Sequence, residues 1–193
     1  MHLNTDRHDS ELVRSKANLT GGDLLFLISC SEIITSKERA KYSESLVIHA
    51  SDLPLGRGWS PHIWEISSGA TQITLTLLEA GDNVDSGRIW KKLELPIAKD
   101  LLWYEINDLL FNAEIQLIEF AVNVCKSIVP VEQDQNLEPT YHRKRTPADS
   151  EINVKKSLES QFDLLRICDP ERFPAYFKIH GKKYKLMVEK FDD

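Results

Sequence analysis

The sequence predicts an α/β fold around a mostly parallel sheet, and three observations predict it. Asp23-Leu-Leu-Phe-Leu-Ile-Ser29 is a compact apolar run behind Gly21-Gly22, which reads as a buried, parallel strand. Ser36 to Ser43 is charged and compatible with a helix. Leu46-Val-Ile48 is a second apolar run that ends on His49. Strand, short helix, strand is the βαβ unit, and α/β sheets bind ligands beyond the carboxyl ends of their strands. The Ser31-Glu-Ile-Ile34 loop and His49 both belong to that edge.

The remaining elements follow in order. Met1 to Gly22 is polar and irregular, with a short helical stretch around Ser10 to Lys16. Beyond His49 comes a loop rich in Pro54, Gly56, Gly58 and Pro61. Pro61 then opens a short helix to Ser67, in the first turn where a missing N–H breaks no helical hydrogen bond, and Gly69 ends it. Thr71 to Leu78 alternates β-branched and apolar residues, the pattern of a strand with one face toward the core. Arg88 to Pro96 reads as its antiparallel neighbour. Asp100 to about Val129 is the one long helix, with Leu102, Ile106, Leu109, Ala113, Leu117, Phe120 and Val124 recurring along one face as a packing seam.

From Pro130 the chain turns polar through Glu132 to Pro139, a connection expected to cross the surface. A basic cluster, His142-Arg-Lys-Arg145, precedes a turn at Thr146-Pro-Ala-Asp149. A second amphipathic helix is expected from Ser157 to about Cys168, and Phe173 to Val188 reads as a hairpin turning at Gly181.

Composition narrows the classes. A chain of 193 residues has room for one ordinary domain with a short appendage, and 41% apolar residues suffice for a core. Charged residues at 28% and a mean hydropathy of −0.33 describe a soluble globular protein. No apolar stretch approaches the roughly 20 residues that span a bilayer, and the first residues lack the basic and apolar regions of a signal peptide. Three cysteines, an odd number spaced far apart, argue against a disulfide framework, and Cys30 and Cys125 fall in apolar runs as small buried thiols. The cytoplasm is the expected compartment. A net charge of −6 argues against a large nucleic-acid footprint. The cluster at Arg143, Lys144 and Arg145 is either a solvated loop or a site for one or two phosphates.

One constellation carries chemistry. His49 follows a strand directly at the ligand-binding edge, and Asp85 sits in a second glycine-flanked loop, Val84-Asp-Ser-Gly87. Histidine titrates near neutrality, and a carboxylate beside it holds the ring and tunes its proton affinity. Such a pair suits acyl transfer to an amine. No cluster has the spacing of a metal site.

His49-Ala-Ser-Asp-Leu-Pro-Leu-Gly-Arg-Gly58 resembles the His-x-Ser-x-Leu-Pro-x-x-Arg-Gly signature of the folate-dependent formyltransferases, which act on methionyl-tRNA, glycinamide ribonucleotide or nucleotide sugars. The resemblance extends through Ser60-Pro61, Trp64, Gly69 and Ile73-Thr-Leu-Thr-Leu77 to Val84-Asp-Ser-Gly87. Arg145-Thr-Pro-Ala-Asp149 is similar to a segment that follows the catalytic domain in the tRNA and sugar enzymes, and Leu164-Leu-Arg166 and Phe173 to Phe177 fit the region beyond. It implies a Rossmann-like formyltransferase sheet lacking its first βαβ elements, since the residues before Asp23 are few and polar. Residues 1–130 would form the catalytic domain, 131–150 a linker and 151–193 a small C-terminal α+β helix–hairpin region.

The resemblance also implies roles. An amine attacks the formyl carbon of N10-formyltetrahydrofolate, His49 stabilises the oxyanion and shuttles the proton, and Asp85 orients His49 and positions a water. Folate would lie against Glu32, Ile33 and Ile34 and the backbone of Gly81, Asp82, Asn83 and Val84, with core packing the competing role for Ile33 and Ile34. The family places an asparagine two residues before the histidine; this chain has Val47, so Ser31, Ser51 or a backbone N–H would have to serve as donor. The implied reaction is formylation of the primary amine of an amino sugar, nucleotide-linked, in polysaccharide biosynthesis, with Arg143, Lys144 and Arg145 meeting its phosphates. The alternatives are methionyl-tRNA, a ribonucleotide amine, or a non-catalytic binding protein. A membrane partner is not expected, and a homodimer is left open.

Overall fold

The computed structural model describes residues 8–191. Its sheet has four strands in the order β1 (Gly22–Ile28), β2 (Tyr42–His49), β4 (Gln72–Glu79) and β5 (Ile89–Pro96). The first pair is parallel, and β4 lies antiparallel to both of its neighbours. Three strands therefore run one way and β4 against them, so the α/β expectation of a mostly parallel sheet holds in strand direction. A two-residue strand β3 (Arg57–Gly58) pairs in parallel with β6 (Tyr141–His142), and the chain ends in the hairpin of β7 (Ala175–Ile179) and β8 (Lys182–Leu186).

The core is built on β4 and on the long helix α3 (Trp103–Val124). Every residue from Ile73 to Leu78 is buried, so β4 is covered on both faces rather than the one its alternating pattern suggested. Glu105 starts α3 by reaching back to the Leu102 N–H at 2.8 Å. Its buried positions are Ile106, Leu110, Ala113, Leu117, Ile118 and Ala121. The seam thus runs through Leu110, while Leu109 is exposed and Phe120 and Val124 are only half-buried. Replacing Leu117 by Ala in such a core typically costs about 2–5 kcal/mol.

Other expectations shift. β1 is not buried: only Leu25 is, because β1 is the edge strand of the described sheet. The helix expected over Ser36 to Ser43 is α1 (Ser36–Arg39) alone, since Tyr42 already pairs with Gly22 in the sheet. The short helix α2 (Pro61–Ser67) lies where expected. The expected Ser157–Cys168 helix is a 3₁₀ turn at Glu159–Gln161 followed by α4 (Phe162–Leu165), and a 3₁₀ turn at Lys16–Asn18 takes the place of helix around Ser10 to Lys16. Cys30 is exposed and Cys125 half-buried; Cys168 is the buried thiol. The hairpin turns at His180-Gly181, both with positive φ, as the tight β-turn requires.

Residues 130–142 are more firmly held than a surface connection needs. Val131 exchanges both backbone hydrogen bonds with Ile89 at the outer edge of β5, and Gln133 is 4% exposed. Arg166, fully buried, donates to Asp163 and to the carbonyls of Ala98 and Leu101, tying the C-terminal segment to the start of α3. Among the described residues no helix is long and apolar enough to cross a membrane.

Candidate active site

The parallel pairing of β1 with β2 puts their carboxyl ends on one edge, which delivers His49 and the loop after Ile28 together. His49 is 8% exposed, and its Nε2 lies 2.9 Å from the Gly56 carbonyl oxygen. A carbonyl only accepts, so Nε2 carries a proton, and in the neutral form of the ring the lone pair lies on Nδ1. The loop between them is buried at Ser51, Leu53, Pro54 and Gly56, with a cis Leu53–Pro54 bond. It is pinned by the Gly56 N–H donating to Thr140 Oγ1 at 2.8 Å and by Thr76 Oγ1 donating to the Ser51 carbonyl at 2.7 Å.

Asp85 comes from the connection between β4 and β5. Because β4 runs against β2, its carboxyl end meets Ser45, and the connection must fold back to bring Asp85 to His49. Asp85 Oδ2 stands 3.6 Å from His49 Nδ1 and accepts the Gly58 N–H at 2.9 Å. Its backbone holds φ +52, the left-handed region that Asp and Asn tolerate better than other side chains. Gln133 locks the loop: its Nε2 donates to the Asp85 and Gly87 carbonyls, both at 2.9 Å, and its Oε1 accepts from Arg57 Nη2 at 2.7 Å. Nothing in the sequence marks Gln133, which lies in a polar stretch far from both motifs.

Several ionisable groups surround this pair. Burial pushes His62 down to about 4, a protonated His49 and the Arg145 guanidinium would press it the same way, and its Nδ1 is buried with no protein partner. Burial also lowers His142, again with His49 contributing. Glu65 on α2 is raised to about 7 by burial and by Asp52. Desolvation thus disfavours the charged form of both His62 and His142. Val47 sits half-buried between Leu27 and Leu78 and offers no donor where the signature has asparagine. Of the substitutes, Ser31 is exposed, whereas Ser51 is completely buried and its hydroxyl has no protein partner.

The two loops expected to hold folate are joined by a residue the sequence did not single out. Arg39 donates to the Ile34 carbonyl at 2.8 Å and pairs with the Asp82 carboxylate. Glu32 accepts the Lys16 N–H at 2.6 Å, and Ile34 is buried beside Leu19 and Leu25, a packing role. Ile33 is 79% and Val84 63% exposed, leaving two apolar side chains open to solvent on the two loops. Gly81, Asp82 and Asn83 are exposed, and Ser86 Oγ donates to the Asn83 carbonyl at 3.0 Å.

The basic cluster divides. Arg143 pairs with Asp149, holding that carboxylate well below the usual range, and lies 4.8 Å over the Trp64 ring. Arg145 is 9% exposed, donating to Ser150 Oγ and lying over Phe173, so its burial takes it out of the surface cluster. Lys144 is exposed, as Arg143 is, but unlike Arg143 it forms no ion pair among the described residues; its Nζ lies 4.6 Å over Trp59.

Residues 3–122 match the family model described as formyl transferase. The chain is 28% identical over 177 residues to a methionyl-tRNA formyltransferase of Rickettsia typhi, covering 90% of this chain and 57% of that protein, and so spans little more than half of that relative's length. In structure it is similar to a sugar N-formyltransferase from Shewanella sp. FDAARGOS_354, with a TM-score of 0.69, 19% identity, and coverage of 89% of this chain and 71% of that one. It is also similar to HypX from Aquifex aeolicus in complex with tetrahydrofolic acid, with a TM-score of 0.70, 20% identity, and coverage of 86% and 29%. At these identities the structural likeness establishes the fold.

Proposed function

The chain belongs to the formyl transferase family, and we propose that it moves a formyl group from N10-formyltetrahydrofolate to the primary amine of a nucleotide-linked amino sugar. The observation that carries this reading is the His49–Asp85 pair at the carboxyl edge of β1 and β2, beside two loops with exposed apolar side chains. The folate supplies an acyl group already activated toward amines. HypX, of the same fold, holds tetrahydrofolic acid, and Ile33, Val84 and the backbone of residues 81–84 would hold the donor here.

The chain's own groups then move protons. An attacking amine must lose a proton as its bond to carbon forms, and the free lone pair on His49 Nδ1 is the acceptor. The imidazolium so made faces the Asp85 carboxylate, which stabilises it, and the Gly56 carbonyl keeps the ring from turning. When the tetrahedral adduct collapses, the bond from carbon to the folate N10 would break and the same proton would pass to N10, releasing tetrahydrofolate and the formylated amine. Ser51 is the candidate donor to the developing oxyanion in place of the missing amide, and losing such a donor commonly lowers turnover about 10²–10³-fold.

The acidic balance favours a small acceptor, of the kind used in polysaccharide biosynthesis in the cytoplasm. Methionyl-tRNA is the second reading, favoured by the Rickettsia relative. The test is release of tetrahydrofolate from N10-formyltetrahydrofolate in the presence of amino-sugar nucleotides or methionyl-tRNA. A sugar-dependent release abolished by His49→Ala supports the proposal. Release with tRNA alone moves the acceptor to tRNA, and failure to bind tetrahydrofolate makes this a non-catalytic binding protein.

A further inference from the structure

The short parallel pairing of β3 with β6 builds a surface that the formyl-transfer centre does not use. Trp59 N–H donates to the His142 carbonyl at 3.0 Å and Arg57 N–H to the Thr140 carbonyl at 2.9 Å, which brings Trp59 and Tyr141 onto one side of the site. The two residues are 44% and 66% exposed. The surface is continuous with the reaction centre, because Gly58, next to Trp59, donates to the same Asp85 oxygen that faces His49.

The cations around these rings differ in what holds them. Trp64 is closed: Arg143 lies over it, His142 stacks on it with ring centres 6.1 Å apart, and its Nε1 donates to the Arg143 carbonyl. Arg57, over Tyr141, is fixed by Gln133. Trp59 carries only the Lys144 ammonium, which forms no ion pair among the described residues of an acidic chain. An exposed ammonium on a ring is a weak contact, and a heteroaromatic base stacked on the same ring is stronger. One movement of Lys144 therefore uncovers the indole face and frees a cation for a nearby anion.

We propose that Trp59 and Lys144 form the subsite for the nucleoside diphosphate part of the acceptor, with the base stacked on Trp59, beside Tyr141, and Lys144 on the diphosphate. A flat base joined to two phosphates matches an indole beside a free ammonium, and the sugar amine then points along Gly58 toward Asp85 and His49. The inference rests on the amino-sugar nucleotide reading above.

The experiment is calorimetric titration of the full chain with UDP, dTDP and GDP, and separately with tetrahydrofolate, for the wild type, Trp59→Ala, Trp59→Phe and Lys144→Gln. At least one nucleotide binds the wild type. Trp59→Ala weakens it tenfold or more, Trp59→Phe less than threefold, and Lys144→Gln about tenfold with a flatter dependence on salt; tetrahydrofolate binding is unchanged in all three. Equal nucleotide affinity in wild type, Trp59→Ala and Lys144→Gln overturns the subsite, as does the absence of nucleotide binding to a wild type that binds tetrahydrofolate. A wild type that binds nucleotide through Trp59 but not tetrahydrofolate leaves the subsite standing and overturns the formyl-transfer reading.

Discussion

Nδ1 of His49 and Oδ2 of Asp85 face each other at 3.6 Å, while Nε2 of the same ring is held 2.9 Å from the Gly56 carbonyl. At that separation the pair is not a direct hydrogen bond, and with Nε2 protonated both facing atoms are acceptors. In its neutral form the ring is a base able to take a proton, and the Asp85 carboxylate then faces the imidazolium.

Asp85→Asn separates charge from shape, because asparagine also tolerates the left-handed backbone at this position. Formyl transfer should fall on the order of 10²-fold or more while tetrahydrofolate binding and melting temperature stay close to wild type. Single-turnover kinetics beside a thermal melt decide it; equal activity in the variant would remove Asp85 from the chemistry.

Gln133→Ala should damage the site from outside it. The Asp85 and Gly87 carbonyls and the Arg57 guanidinium lose a shared partner, and each buried group left unsatisfied costs about 1–3 kcal/mol. Chemical denaturation would show the loss, and turnover should fall more than folate affinity because Asp85 is no longer held. An unchanged denaturation midpoint would show that water replaces the glutamine.

Gly58 cannot carry a side chain. A Cβ there would lie 2.5 Å from the His142 carbonyl oxygen, and its φ is +95. Gly58→Ala should break the β3–β6 pairing and cost more than the roughly 1–3 kcal/mol of left-handed strain alone. Gly181→Ala, with φ +71 but nothing within 4 Å of its Cβ, supplies the strain without the clash. Similar melting temperatures for the two variants would contradict the close approach.

Stability should carry a carboxylate signature between pH 4.5 and about 7. Burial raises Glu65 and Glu114 to about 7, so the unfolded chain ionises them first. Below pH 4.5 both states are protonated and nothing is lost; as pH rises toward 7 the folded state is progressively disfavoured, and above 7 the penalty is complete. Glu114→Gln should therefore stabilise the protein at pH 8, on the order of 1 kcal/mol because water still reaches the carboxylate, and leave it unchanged at pH 4.5. His62 acts at the other end: held down to about 4, it withdraws stability as pH falls from 6.5 toward 4. Urea titrations at pH 4.5, 6 and 8 separate the two effects, and a Glu114→Gln gain independent of pH would refute this assignment.

The sequence by itself determined the family signature, the βαβ start, the Pro61 helix, the β4–β5 pair and the C-terminal hairpin. These are local: apolar runs bounded by glycine and proline, a proline at a helix start, a glycine where the turn needs positive φ. It also named His49 and Asp85. The tertiary structure alone decided how those two meet, because the antiparallel course of β4 sends Asp85 away from His49 until the loop folds back under Gln133. It alone decided which basic residue is free, since Arg143, Lys144 and Arg145 are alike in a row and differ only in what surrounds them. Hydrophobic pattern and turn chemistry act over a few residues and can be read along the chain. The partner of a buried polar group is set by packing between distant segments, and Gln133, Arg39 and Trp59 acquire their places only there.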